Sequence, residues 1–307
     1  MAFLLKDLLG KDKILTSGHR LCPGCGAPMA VKMVTMATDN PLIITSATGC
    51  LEVSTTIYPF TAWDTPWVHS AFENAGATIS GLQTAFLAWK KKGKIDKEVK
   101  FLAFGGDGGT YDIGLQALSG ALERGHDFVY VCYDNQGYMN TGAQRSASTP
   151  MGASTTTEPA GKKSIGKRIQ RKDLTMIAAA HHNAYAAQSS ISHWQDLMSK
   201  AKKAFEYEGP AFINVLSPCV RFWRVPSSKT VEIAKLAVET NFWPLFEIEN
   251  MKLTLNFKPK ERKPIIDWIK AQGRYKHLLQ AGNEPVIDEI QKEVDAYFDY
   301  LVRLSSI

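Results

Sequence analysis

Asp107 stands among four glycines, Gly105-Gly106-Asp107-Gly108-Gly109, and about 26 residues later a second polar turn, Asp134-Asn135-Gln136-Gly137, closes another apolar run. The first turn offers a carboxylate on a backbone that a ligand can approach closely. The second offers an amide side chain and main-chain carbonyls. Such a pair can hold a hard divalent cation through oxygen ligands, and the cation can hold a diphosphate. Sulfur forms the other reactive set. Cys22-Pro23-Gly24-Cys25 is a CxxC in a Gly/Pro-rich loop, Cys50 follows Ala47-Thr48-Gly49, and Cys219 follows Ser217-Pro218. Four thiolates converging from turns suit either zinc or an iron–sulfur cluster. A thioredoxin-like pair would leave Cys50 and Cys219 unexplained. Cys132, inside the apolar run Phe128–Tyr133, reads as a small buried hydrophobe.

The elements that must position these residues follow from their pattern. Phe101–Phe104 and Phe128–Tyr133 are β-forming runs with a helical stretch between them, a βαβ unit whose two turns share one edge of a parallel sheet. A lone Gly-Asp-Gly is usually only a turn. The preceding strand, the following helix and the second loop in register make it a ligand loop. Apolar runs near positions 43, 102, 130, 186 and 213 alternate with helical patterns, which predicts an α/β fold with a mostly parallel sheet sandwiched by helices. Cys50 and Cys219 fall just past two of these runs, at the edge where open α/β sheets bind ligands.

Helices are expected over Ala27–Thr38, from His69 to about Lys91, and over Asp173–His182, Ser192–Tyr207, Trp268–Leu279 and Pro285–Leu304. A hairpin or extended arm is expected over 245–265. Residues 1–17 read as an N-terminal arm, 18–219 as the ligand-binding domain and 220–307 as a C-terminal extension whose aromatics suit a subunit interface. Tyr58, Phe60, Trp63 and Trp67 can wall a metal centre from water or pack as ordinary core. Residues 143–172 make a long polar connection, a lid or interface loop. Its basic run, Lys162, Lys163, Lys167, Arg168, Arg171 and Lys172, reads as solvated surface, with an acidic partner as the sharper reading.

The Gly-Asp-Gly to Asn spacing resembles the thiamine diphosphate signature, with Asp134-Asn135 where that family usually has two adjacent asparagines. Blocks spread from residue 18 to about 250 resemble, in order, the β subunit of the 2-oxoacid:ferredoxin oxidoreductases, in the pyruvate:ferredoxin oxidoreductase branch. They are GHRLCPGCGAP (18–28), ATGCLEVSTTIYPFTAW (47–63), HSAFENAGATISG (69–81), FGGDGGTYDIGLQALSGALERGH (104–126), YDNQGYMNTGAQRS (133–146) and SPCVRFWRV (217–225). The resemblance implies a thiamine-diphosphate-binding fold holding thiamine diphosphate, Mg²⁺ and one [4Fe–4S] cluster. It implies Cys22, Cys25, Cys50 and Cys219 as cluster ligands and Asp107, Asn135 and the Gly137 carbonyl as Mg²⁺ ligands. Gly106, Gly108, Asn140 and Thr141 are implied beside the cofactor, with Asn140 donating a hydrogen bond near the reacting centre.

The implied activity is oxidative decarboxylation of pyruvate to acetyl-CoA and CO₂, or the reverse, with electrons leaving through the cluster to ferredoxin. The implied partners are an α subunit that completes the thiamine and substrate site, γ and ferredoxin-like δ subunits, ferredoxin, a 2-oxo acid and coenzyme A. The alternatives are the same chemistry on 2-oxoisovalerate, 2-oxoglutarate or oxalate, a thiamine enzyme without redox function, and a zinc-binding module.

Bulk properties agree with this class. At 307 residues and 45% hydrophobic content the chain can bury a large core. No apolar run approaches ~18 residues, so no membrane span is expected. The N-terminal stretch lacks a cleavage pattern, and a cytoplasmic location is expected. The net charge of +6 is mild, and no nucleic-acid module accompanies it, so nucleic acid is not expected as a partner.

Overall fold

The computed structural model describes residues 3–11 and 13–306. Its helices are α1 (Gly26–Thr35), α2 (Cys50–Thr55), α3 (Ala75–Lys91), α4 (Leu115–Glu123), α5 (Leu174–Ala179), α6 (Trp194–Glu206), α7 (Val220–Trp223), α8 (Thr230–Glu239), α9 (Ile265–Lys270) and α10 (Glu284–Leu304). Its strands are β1 (Leu42–Ser46), β2 (Trp67–His69), β3 (Lys100–Gly106), β4 (Val129–Asp134), β5 (Ala160–Gly161), β6 (Ser164–Ile165), β7 (Tyr185–Ser190), β8 (Ala211–Leu216), β9 (Phe246–Glu249) and β10 (Lys252–Leu255). Eight strands form one sheet in the order β10-β9-β7-β8-β4-β3-β1-β2. From β7 to β2 all pairs are parallel, and β9-β10 adds an antiparallel hairpin at one edge.

Burial on both faces explains the continuous apolar runs of β4 and β8, in which every residue is buried. Alternate side chains feed two cores. Leu102 and Phe104 join the layer of α1, α6 and α8, whereas Phe101 and Ala103 join the layer of α3, α4 and α5. The Asp173 side chain caps α5 by accepting from the Met176 N–H at 3.1 Å.

The five expected strands are all present, and two details differ from the sequence reading. His69 does not open a helix. Trp67–His69 pairs with Ile44–Ser46 as an edge strand, as its aromatic and β-branched composition favours, and α3 starts at Ala75. Trp268–Leu279 is not one helix. Gln272 is extended (φ −131°, ψ 127°), so α9 ends before it and a 3₁₀ turn, Gly273–Leu279, follows. The hairpin over 245–265 is present, turned by Asn250 and Met251 with φ of 50° and 65°, and it is an integral part of the main sheet.

Candidate active site

Four neighbouring parallel strands, β1, β3, β4 and β8, deliver the predicted site residues at their carboxyl ends in spatial order. Cys50 follows β1, Asp107 follows β3, Asn135 follows β4 and Cys219 follows β8. Asp107 and Asn135 therefore lie between two cysteines, on the edge where such sheets bind ligands.

At the centre, the side-chain amide of Asn135 lies 2.9 Å from the Gly137 carbonyl oxygen and 3.0 Å from Asp107 Oδ1. With its nitrogen inward the amide would donate to both. With its oxygen inward, three oxygens meet and no proton separates them. Adjacent oxygen ligands of an octahedral Mg²⁺, at about 2.1 Å from the ion, stand about 3 Å apart. The amide position thus suits a hydrogen-bond bridge without a cation and could serve as a ligand to one. The carboxylate has capacity to spare. Asp107 is fully buried and accepts from the Asn135 N–H (3.2 Å) and the Ser146 hydroxyl (2.5 Å). Burial, then the nearby Asp134 carboxylate, holds its pKa well above the usual carboxylate range. A divalent cation would offset both effects.

Asp134, which stands where thiamine enzymes usually carry an asparagine, is turned away from this point. It accepts from Ser148 Oγ at 2.7 and 2.6 Å, from the Tyr111 hydroxyl at 2.8 Å and from the Gln136 N–H at 3.0 Å. Its oxygens are occupied, so it supports the loop and leaves Asp107 as the carboxylate open to a metal. Ser146 and Ser148, on the loop after Gly142, thus hold one carboxylate each. Lys167 pins this loop by donating to the carbonyls of Ala147 (3.2 Å) and Thr149 (2.5 Å).

The basic run is therefore not uniformly solvated, as its composition suggested. Lys162, Lys163 and Arg168 are exposed. Lys167 is fully buried, Arg171 stacks on Trp243 at 4.4 Å and donates to Tyr111 and Gln188, and Lys172 donates to the Tyr111 carbonyl. Sequence reasoning missed Ser146, Ser148 and Lys167. Their only signal was position, in a polar connection longer than chain reversal needs.

Close packing shapes the floor. Residues Gly108–Asp112 form a π-helical turn, and a Cβ on Gly108 would stand 2.6 Å from the Tyr138 ring. Glycine alone lets the backbone lie against that ring. A cavity of about 100 Å³ joins the oxygen site to the sulfur side, lined by Cys50, Gly106, Gly108, Asn135, Asn140 and Thr141 among others. Asn140 and Thr141 are exposed at its rim. The Tyr133 hydroxyl, also in the lining, is buried without a partner.

On the sulfur side the Gly26 N–H donates to the Pro218 carbonyl at 3.2 Å, and a Cβ on Gly26 would stand 2.7 Å from the Ser217 carbonyl carbon. Glycine there lets the CxxC loop lie directly on the Cys219 turn. The Arg20 N–H bonds the Ser54 carbonyl at 2.8 Å, tying the same loop to α2, which starts at Cys50. Burial pushes the Cys25 thiol up to about 12, and Cys219, Cys50 and Cys22 add to the rise. Burial likewise pushes Cys50 up to about 11, helped by Cys219 and Cys22, and raises Cys219. The four thiols thus share one field. Yet no three His, Cys, Asp or Glu side chains among the described residues come close enough to hold a single ion. Cys132 is buried within β4, as expected. Of the four aromatics of 58–67, Trp63 is buried and Trp67 half-buried, while Tyr58 and Phe60 project into solvent at 94% and 75% exposure and wall nothing within this chain.

Residues 47–215 match the family described as thiamine pyrophosphate enzyme, C-terminal TPP binding domain. The chain is 54% identical over 310 residues to the pyruvate synthase subunit PorB of Thermotoga maritima, covering 99% of this chain and 96% of that one. It is 42% identical over 293 residues to the ketoisovalerate oxidoreductase subunit VorB of Pyrococcus furiosus, covering 95% and 93%. In fold it is similar to a solved structure of 2-oxoglutarate:ferredoxin oxidoreductase from Magnetococcus marinus, with a TM-score of 0.54, 22% identity, and 73% and 78% of the two chains covered.

Proposed function

Because the chain belongs to the PorB family of 2-oxoacid:ferredoxin oxidoreductase β subunits, we propose that it carries thiamine diphosphate, Mg²⁺ and one [4Fe–4S] cluster for the oxidative decarboxylation of pyruvate, or its reverse. The observation that carries this reading is the convergence of the Asp107 carboxylate, the Asn135 side-chain amide and the Gly137 carbonyl between two cysteine-bearing strand ends. Asp107, Asn135 and the Gly137 carbonyl hold Mg²⁺. The Gly106–Gly108 backbone and Thr141 line the diphosphate. Bound thiamine diphosphate supplies an electron sink for loss of CO₂ from a 2-oxo acid.

The chain's own residues bind, orient and insulate. Ser146 holds the metal-binding carboxylate in place, Lys167 fixes the serine loop, and Asn140 offers its amide to the reacting end of the cavity. Cys22, Cys25, Cys50 and Cys219 hold the cluster. Cys50 and Cys219 stand singly and far apart in the sequence, unlike the paired CxxC turns of a structural zinc ribbon, which favours a multi-iron centre over zinc. The four cysteines also argue against a thiamine enzyme without redox function. The enzyme works with partner subunits. In our reading an α subunit completes the substrate site, γ and ferredoxin-like δ subunits pass electrons to ferredoxin, coenzyme A takes the acyl group, and the assembly is cytoplasmic.

Pyruvate is favoured by the 54% identity to a pyruvate synthase subunit; the 42% identity to a ketoisovalerate oxidoreductase subunit makes branched 2-oxo acids the second reading. The test is anaerobic purification of the complex through a tag on this chain, with assay of iron, sulfide and thiamine diphosphate. Ferredoxin reduction is then followed with single 2-oxo acids plus coenzyme A. Iron and turnover on pyruvate, both lost in Cys22→Ala, are expected; turnover only on a branched acid changes the substrate, and zinc in place of iron defeats the cluster.

A further inference from the structure

Arg274 carries a buried positive charge that no carboxylate among the described residues contacts. It is 1% exposed. Its Nε donates to Gln272 Oε1 at 2.9 Å and its Nη2 to Gln136 Oε1 at 2.5 Å, both neutral acceptors, while Nη1 has no partner. Four aromatic rings enclose the guanidinium, with centroids at 4.2 Å for Trp223, 5.1 Å for Phe222, 5.1 Å for Tyr275 and 5.4 Å for Trp268. Aromatic faces soften the loss of water but do not neutralise the charge. A desolvated cation calls for an anion nearby.

The surroundings of the cage say where that anion belongs. Phe222 and Trp223 lie on α7, whose N-terminal cap is Cys219. Gln136 directly follows Asn135. The guanidinium therefore sits on a wall shared by the thiol quartet and the oxygen site. Burial pulls the Arg274 guanidinium down to about 10, while Tyr275, Asp134, Cys219 and Asp107 support its charge. Of these, Asp134 is already satisfied by Ser148, Tyr111 and Gln136, and Asp107 faces the oxygen site.

We propose that Arg274 is the fixed counter-charge of the four-thiolate centre and raises its reduction potential. This rests on the reading of Cys22, Cys25, Cys50 and Cys219 as cluster ligands. A four-iron centre with four thiolates is net negative, and one added electron makes it more so. A nearby cation that water does not screen stabilises the reduced form more than the oxidised one. The aromatic cage excludes water and keeps the charge in place, so its influence does not depend on a mobile side chain.

The test is a mediated redox titration of the intact complex with dithionite, following the EPR signal that is absent from Cys219→Ser. Arg274→Met is expected to lower the reduced-to-oxidised ratio at a fixed potential about tenfold, a shift of ~59 mV to more negative values for a one-electron couple. Arg274→Lys keeps the charge and is expected to stay close to wild type. Gln272→Glu leaves the arginine in place and pairs it; a shift of the same sign as Arg274→Met is expected, and this variant decides the matter if Arg274→Met does not assemble. A role confined to packing would move stability but not the midpoint in Gln272→Glu. Unchanged midpoints in the neutralised variants, at full iron content, overturn the proposal. A wild-type complex without iron overturns the cluster reading instead.

Discussion

The indole N–H of Trp223 donates to the main-chain carbonyl of Asn135 at 3.0 Å, inside the protein. Trp223 closes the helix that starts after Cys219, and Asn135 is the amide of the oxygen site. One hydrogen bond thus joins the sulfur side to the oxygen side across β4 and β8. Trp223→Phe keeps most of the ring and strands the carbonyl, at a cost of about 1–3 kcal/mol. We expect a lower unfolding midpoint together with weaker thiamine diphosphate binding, read by calorimetry with Mg²⁺ present. A lower midpoint with unchanged cofactor affinity would show the bond to be structural only.

Asp107→Asn separates stability from binding. The variant removes a buried carboxylate that lacks a cation, so with divalent ions chelated it should melt higher than wild type, by a few degrees for about 1–3 kcal/mol. It should also fail to bind thiamine diphosphate tightly. Wild-type affinity in Asp107→Asn would remove Asp107 from the metal site.

Lys167 gives a pH signature. Burial pulls its ammonium down to about 8, from an ordinary lysine value of 10.5. Between those values the unfolded chain binds the extra proton, so the lysine's contribution to stability rises with pH across that window. Below about 8 both states are protonated, and the penalty of the buried charge is present in full. The difference in melting temperature between wild type and Lys167→Met should therefore shift in favour of wild type from pH 8 to 10.5. A flat difference means the lysine stays charged throughout.

Much of this was legible in the sequence because glycine, aspartate and cysteine carry their chemistry locally. Asp107 and Cys50 could be read from the turns they occupy and the strands before them. Ser146 and Lys167 could not, since their importance comes from what folds against them: a carboxylate 39 residues away in one case and the carbonyls of a distant loop in the other. Composition suggested a solvated lysine, and only burial among carbonyls reverses that. The break between α9 and the following turn was also hidden, because Gln272 has no intrinsic preference for the extended backbone it adopts. Arg274 gave no signal either, as its cage is assembled from aromatic residues some fifty positions apart.

Two cysteine variants should separate ligand from core. Cys25→Ser should lose iron from the purified complex, whereas Cys132→Ala should keep it and lose only about 1–2 kcal/mol of stability from a small core cavity. Iron loss in Cys132→Ala at an unchanged melting temperature would contradict the assignment.

Asn140→Ala tests the rim. Its side chain is exposed and is not needed for packing. Turnover should fall by about 100- to 1,000-fold, as expected of a lost hydrogen bond at a reacting group, with thiamine diphosphate affinity nearly unchanged. A parallel loss of affinity would make it a binding residue.

The sulfur quartet draws on strand ends that span the first and last members of the parallel core, so it has no partial form. When ribosomal synthesis has produced Cys22, Cys25 and Cys50, the residue that completes the set is still unmade, and the central strands that set the spacing are incomplete. With the four thiols read as cluster ligands, metal loading would be a late step in biogenesis and a check on it: a chain that stalls before the Cys219 turn would leave three thiols with nothing to assemble around.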